Sequence, residues 1–350
     1  MSISVVIPCL NEEGSIVDCI RLIREAFPVA ADLEILIVDN GSTDASKTLA
    51  IKAGACVIDE PRRGYGSAIM RGLREAKGEF IVIGDADNTY DFRDGAKLVD
   101  LLREGAEFAI GDRINGEVEK GAMPWLHRNL GTPVLTWILN RFFGSRVSDI
   151  NCGLRGIRKT SVERIRLRSL GMEFASEMVI HAQKAGLKFA ERPIRYYRRR
   201  EGQAKLRTFR DGWRHLRFIL LCAPFPLFFI PSALVIGFAI YFLIQTRLGF
   251  QVLGGGLLLV GVQLSIFGVL AKTYLWVVDS FLVDRRFGSI LEKFRLEHGI
   301  LISLALTLYG AILLTDLDIG SLIRGSWLLV LAVQIFFSSF LISIILMKRD

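Results

Sequence analysis

Two carboxylates one residue apart, Asp85-Ala-Asp87, follow the apolar run Phe80-Ile-Val-Ile83. Carboxylates at i and i+2 leaving a strand can share one hard cation, and Mg²⁺ or Mn²⁺ held this way also grips a substrate diphosphate. An isolated Asp-x-Asp is an ordinary polar loop. Here Asp39 also closes an apolar run, Leu33-Glu-Ile-Leu-Ile-Val-Asp39, and Pro8-Cys-Leu-Asn-Glu12 follows a third, which begins at Ile3. Acidic residues at three run ends favour the metal–diphosphate reading. Residues 39–44 also read as a turn in which Ser42 or Thr43 caps the next helix. That accounts for neither Asp39 nor the carboxylate pair. Between residues 191 and 217 there are 10 basic and 3 acidic residues, including Arg198-Arg-Arg200, Lys205, Arg207, Arg210, Arg214 and Arg217. A planar guanidinium fork matches phosphate oxygens, so such a run suits anionic partners.

These groups need a frame that brings run ends together. Strand-like runs at residues 3–8, 33–39, 56–59, 79–84 and 107–111 alternate with helical patterns at 13–27, 43–53, 67–76 and 93–104. Alternation of this kind predicts a mostly parallel sheet covered on both faces, with ligands beyond the carboxyl ends of the strands. Gly64-Tyr-Gly66 is a weak phosphate-loop signal that helix entry explains equally well. Trp125 to Phe143 is unusually apolar for a surface segment. It reads either as a core helix broken by Pro133 or as an interfacial helix that guides a lipid toward the site. Glu177 is read as structural or sugar-orienting. The four histidines do not cluster, and the five cysteines are scattered without metal-ligand spacing.

The 350 residues carry a net charge of +8 and are 51% hydrophobic, with mean hydropathy +0.39. That average hides a split. Of 44 Lys+Arg and 36 Asp+Glu, only 9 and 7 fall in residues 224–350. Disorder, fibrous repeats and a wholly soluble protein are excluded. About 20 apolar residues cross a bilayer as a helix, and four stretches qualify or nearly so: about 223–245, 252–278, 299–315 and 325–347. The basic link at 279–298 and the Lys348-Arg349 tail favour the cytoplasmic side. An even number of spans then places the first part, that link and the C-terminus inside. Met1 to Glu13 has neither the basic stretch nor the apolar core of a secretory leader. The expected layout is a catalytic domain at 1–207, a basic interfacial helix at 208–222 and a membrane domain at 223–350. In a prokaryote the membrane would be the plasma membrane. Because the basic run abuts a span, it reads as a lipid surface rather than a nucleic-acid patch. Homo-oligomers through the spans remain an open alternative.

The signatures Val6-Ile-Pro-Cys-Leu-Asn-Glu12, Val38-Asp-Asn-Gly-Ser-Thr-Asp44, Gly84-Asp-Ala-Asp87, Gly111-Asp-Arg113, Asp149-Ile-Asn-Cys-Gly-Leu-Arg155 and Arg199-x-x-Gly202-x-x-Lys205 run in this order over about the first 207 residues. Together they resemble a family-2 glycosyltransferase of the polyprenyl-phosphate type, such as dolichol-phosphate mannose synthases and bactoprenol glucosyltransferases. The resemblance implies an α/β GT-A domain, Rossmann-like, followed by an all-α membrane domain of four transmembrane helices. It implies that Pro8, Leu10, Glu12 and Asp39 hold the base and ribose of a nucleotide sugar. Asp85, Ala86 and Asp87 would meet the diphosphate, with Asp85 and Asp87 holding Mg²⁺ or Mn²⁺. Arg113, Arg128, Arg199 and Lys205 would handle the acceptor phosphate and the leaving diphosphate. Leu10 stands where an aromatic residue is frequent, and Asn40 replaces a frequent second Asp. Thr89 stands where some synthases have a metal-binding Gln, with Asn88 and Asp91 as alternatives.

A lipid phosphate is already anionic near pH 7, so it needs no general base. The implied reaction is inverting transfer of a hexose from a UDP- or GDP-sugar to a polyprenyl phosphate. The rivals are a processive polysaccharide synthase, a non-catalytic membrane protein that binds or flips lipid-linked sugar, and a nucleotidyltransferase. Synthases carry a Gln-x-x-Arg-Trp element, and no such string occurs here.

Overall fold

The computed structural model describes residues 2–28, 32–199, 208–316 and 318–347. Two compact units divide the chain, Met1–Ile219 and Leu220–Asp350.

The first unit is built on seven strands: β1 (Ser2–Cys9), β2 (Asp32–Asp39), β3 (Cys56–Asp59), β4 (Phe80–Ile83), β5 (Phe108–Val118), β6 (Arg155–Arg158) and β7 (Phe189–Tyr196). They form one sheet in the order β3-β2-β1-β4-β6-β5-β7. β1, β2, β3 and β4 run parallel, as their continuous apolar runs require. β6 runs antiparallel between β4 and β5. The sheet is therefore mixed, and β6 and β7 extend it beyond the five sequence-predicted strands. Helices cover both faces: α1 (Ile16–Ala26), α2 (Ser46–Lys52), α3 (Tyr65–Glu75), α4 (Phe92–Arg103), α5 (Thr132–Phe143), α6 (Lys159–Val162), α7 (Phe174–Lys184) and α8 (Thr208–Leu221). The buried core includes Val5, Ile7, Ile20, Ile37, Val82, Phe108 and Ile157.

Register puts the chemistry at one rim. Cys9 pairs with Asp39 across β1 and β2, and Val6 with Ile83 across β1 and β4, so the three parallel strands end side by side. The loops beyond β1 and β2 then latch together. Asn11 (φ 51°) accepts from the Thr43 amide at 2.8 Å, and the Glu12 amide donates to Ser46 Oγ at 2.7 Å. Ser42 Oγ accepts from the Asn11 amide. Thus Ser42 and Thr43 join the two loops, while Asp44 accepts from the Ser46 amide at the start of α2.

Pro133 does not end the helix: the helical run continues from residue 125 to 143, and its hydrogen-bond ladder widens into a π-helical turn at His127–Gly131 just before the proline, which has no N–H to donate. Leu135 and Leu139 are buried, whereas Trp125 is 74% and Trp137 65% exposed. The segment therefore has a core face and an exposed apolar face.

The second unit holds α9 (Ile230–Leu243), α10 (Leu248–Val278), α11 (Arg285–Lys293), α12 (Leu296–Thr315) and α13 (Ile319–Leu346). Four helical stretches are long and apolar enough to cross a membrane: Phe225–Leu243, Leu248–Val278, Leu296–Thr315 and Ile319–Leu346. By that measure the chain is a multi-pass membrane protein. Lipid supplies no hydrophobic drive between such helices, so close packing of small residues must serve. Gly254, Gly261 and Gly268, seven residues apart on α10, face Leu243, Ile236 and Phe229, each where a Cβ would come within 3 Å. Ser232 donates to the Gly261 carbonyl in the same seam. The 279–298 link contains α11, whose Gly288 packs under the Trp276 ring.

Candidate active site

A cavity of about 1140 Å³ opens at the rim. Its lining includes Pro8, Leu10, Glu12, Asn40 and Arg63, together with Asp85, Ala86, Asp87, Thr89, Arg113, Tyr196 and Arg199. The lining is also rich in apolar side chains, with Met123, Leu126, Leu130, Val134, Met172 and Trp213.

The carboxylate pair forms the floor. Burial, then the charge of Asp87, pushes the Asp85 carboxyl up to about 7. Tyr65 Oη donates to Asp85 Oδ1 at 3.1 Å. Thr89 donates to Asp87 Oδ1 twice, from Oγ1 at 2.7 Å and from its amide at 3.1 Å. Gly153 leaves room at the other Asp85 oxygen, since a Cβ there would lie 2.8 Å from Oδ2. Two crowded carboxylates, one held neutral to about pH 7, fit a divalent cation, which would relieve their mutual repulsion. Among the described residues no cluster of three or more Asp, Glu, His or Cys could hold a metal. A cation here would complete its shell from substrate phosphates, as Mg²⁺ commonly does.

Arginines face this floor. Arg199 is ion-paired with Glu12 and, at 3.5 Å, with Asp87 Oδ2. Arg113 binds Asp149 through Nε at 2.7 Å and Nη2 at 3.0 Å, and its guanidinium carbon lies 5.2 Å from the centroid of the Tyr196 ring. Arg155 is buried and ties down three carbonyls, those of Cys152, Ala175 and Ile150.

Of the sequence-predicted residues, Pro8, Leu10, Glu12, Asp85, Ala86, Asp87, Thr89, Arg113 and Arg199 line the cavity together. Asp39 and Arg128 are not among the lining residues. Asp39 turns back and accepts from the Gly41 and Ser42 amides, and Arg128 sits in the π-helical turn. Lys205 lies outside the described residues. Asp91 caps α4 and pairs with Arg93 and Arg195, and Asn88 (φ 58°) donates to the Ser15 carbonyl. Glu177 accepts from the Arg168 and Ser169 amides, so its carboxylate acts structurally.

Sequence reasoning missed Tyr65, Arg63, Tyr196 and Trp213 as cavity residues. Only Tyr65 carried a signal, through its flanking glycines. Asn40 explains its own departure. Its amide Nδ2 donates to the Glu60 and Arg62 carbonyls at 2.9 and 2.8 Å while Oδ1 accepts from the Gly64 amide at 2.7 Å. A carboxylate could not donate.

Residues 4–166 match the family model described as Glycosyl transferase family 2. The chain is 38% identical over 341 residues to the low-salt glycan biosynthesis hexosyltransferase Agl6 of Haloferax volcanii, covering 93% of this chain and 80% of that one. It is 31% identical over 211 residues to a dolichyl-phosphate hexose transferase of the same organism, covering 60% of this chain and 89% of the other. Among solved structures it resembles glucosyl-3-phosphoglycerate synthase from Mycobacterium tuberculosis, crystallised with Mn²⁺, UDP and glucosyl-3-phosphoglycerate. That likeness has a TM-score of 0.50 at 22% identity and covers 63% of this chain and 78% of that one. It shows the fold, a GT-A-like mixed α/β domain.

Proposed function

This chain belongs to glycosyl transferase family 2, and we propose that it moves a hexose from a nucleoside diphosphate sugar to a polyprenyl phosphate with inversion. The observation that carries this reading is one cavity with a mixed lining. Its carboxylates and arginines suit a nucleotide diphosphate, and its many apolar side chains suit a prenyl chain. The dolichyl-phosphate hexose transferase among the relatives supports the acceptor class.

The residues divide the work by charge. Pro8, Leu10 and Glu12, with Arg63, line the cavity and are assigned to the nucleotide. Asp85 and Asp87 would hold a divalent cation, which supplies positive charge to the departing diphosphate. Arg199 lies within reach of that diphosphate, and Arg113, fixed by Asp149, presents a guanidinium to the same space. Arg128 and Lys205 are assigned to the acceptor phosphate and Asp39 to the ribose on sequence grounds. A polyprenyl phosphate oxygen attacks the anomeric carbon from the face opposite the leaving diphosphate, giving a β-linked polyprenyl-phosphate sugar and a nucleoside diphosphate. The nucleophile brings its own negative charge, so no general base is required. The engagement of Glu177 with backbone amides agrees with that. The basic link at 279–298 supports a cytoplasmic face for the catalytic unit.

Membranes containing the chain, labelled nucleotide sugar, polyprenyl phosphate and Mn²⁺ are expected to yield a lipid-soluble sugar. The yield should vanish in Asp87→Asn, and full activity in that variant would overturn the metal assignment.

A further inference from the structure

The Gly64-Tyr65-Gly66 motif looks like a phosphate loop, yet the amides of both its glycines are already engaged. The Gly64 amide donates to Asn40 Oδ1 at 2.7 Å and the Gly66 amide to the Leu170 carbonyl at 2.9 Å. The glycines are demanded by packing instead. A Cβ at Gly64 (φ +142°) would lie 2.0 Å from the Leu170 carbonyl oxygen, and one at Gly66 2.1 Å from that of Ser169. The start of α3 is thus pressed between the end of β2 and the 169–171 loop. What this delivers is the phenol between the two glycines. The Tyr65 ring stands edge-on to Phe174, with centroids 6.5 Å apart, and its hydroxyl reaches Asp85 Oδ1.

We propose that Tyr65 is a positioning residue for the metal site: its hydroxyl holds Asp85 Oδ1 and thereby directs Oδ2, beside Gly153, toward the cation shared with Asp87. Thr89 likewise holds Asp87 Oδ1, so each carboxylate has one oxygen fixed by a hydroxyl; the second oxygen of Asp87 meets Arg199 Nη1 at 3.5 Å and would be shared between that guanidinium and the ion. The inference rests on the reading that these carboxylates hold a divalent cation. A hydrogen-bond partner of a metal ligand commonly sets metal affinity by roughly 10–100-fold.

The test is Mn²⁺ binding alone, followed by electron paramagnetic resonance on the full chain in detergent. Tyr65→Phe removes one oxygen and keeps the ring. Its Mn²⁺ Kd is expected to rise roughly tenfold while the melting temperature holds. In an Asp85→Asn background the same change should add nothing, and excess Mn²⁺ should restore transfer. Tyr65→His, which retains a ring donor, is expected to bind more tightly than the Phe variant. It carries the test should the Phe variant not fold, with Mn²⁺ binding near the parent value supporting the proposal and a loss of tenfold or more overturning it. A Tyr65→Phe Kd within twofold of the parent overturns the positioning role and leaves the metal site standing. Parent protein that binds no Mn²⁺, or binds it equally in Asp85→Asn, overturns both.

Discussion

Replacing Asp149 by Asn would remove one charge from the most enclosed ion pair among the described residues of the first unit and change almost no volume. Asp149 is fully buried, and Arg113 is 8% exposed. In the variant, an amide NH₂ can face a guanidinium that offers only donors. At an effective dielectric near 20, two charges about 4 Å apart attract by about 4 kcal/mol. Removing one partner of a buried pair costs about 3–5 kcal/mol, because the other charge stays buried. For a unit of this size each kcal/mol moves the melting temperature by about 2–4 °C, so a drop of roughly 10 °C is expected. The assay is thermal unfolding of the purified chain in detergent, followed by tryptophan fluorescence. A double variant, Arg113→Met with Asp149→Leu, separates stability from chemistry. Apolar replacements of buried pairs are often neutral or stabilising, so the double variant should regain most of the lost stability while remaining inactive. Unchanged melting in Asp149→Asn would refute the energetic argument, and an active double variant would refute the role given to Arg113.

Asn40→Asp is isosteric but sets a carboxylate against the carbonyls of Glu60 and Arg62. Each buried polar group left unpaired costs about 1–3 kcal/mol, so a loss of at least ~2 kcal/mol is expected in denaturant unfolding. Mn²⁺ affinity should fall as pH drops below about 7, where Asp85 takes up a proton, and calorimetry in two buffers should show proton release on binding near pH 7. Without the ion the sign for stability is opposite, because a raised carboxyl favours the folded state at low pH and that contribution is lost as pH rises toward 7. Burial, followed by the charge of Arg155, lowers His215 to about 4. Its neutral form is therefore stabilising above the ordinary pKa of 6.5 and loses that contribution as pH falls toward 4, by ~3 kcal/mol. His215→Asn should flatten that limb of a stability-against-pH curve.

The rim was legible because its carboxylates end strands whose apolar runs are unambiguous. The spans were legible for the same reason, and α9, α10, α12 and α13 fall where apolar length requires them. β6 was not. Its four residues, Arg155-Gly-Ile-Arg158, carry two charges and a glycine, and only the buried carbonyl partners of Arg155 make that strand intelligible. Asp39 shows the opposite limit. A strand-end carboxylate looks the same in sequence whether or not it is also engaged by its own turn, as Asp39 is by the Gly41 and Ser42 amides. Pro133 reads as a breaker unless the π-helical turn ahead of it is known. Tyr65 and Trp213 meet the cavity through contacts distant in sequence, which no local spacing encodes.

The most direct measurement compares two acceptors that differ only in the phosphate. Purified chain with Mn²⁺ and a panel of labelled UDP- and GDP-hexoses is offered polyprenyl phosphate or the corresponding polyprenol. The prediction is a chloroform-soluble polyprenyl-phosphate sugar, formed one for one with nucleoside diphosphate and absent with polyprenol. Equal transfer to polyprenol, polymer made from the donor alone, or release of pyrophosphate would contradict it.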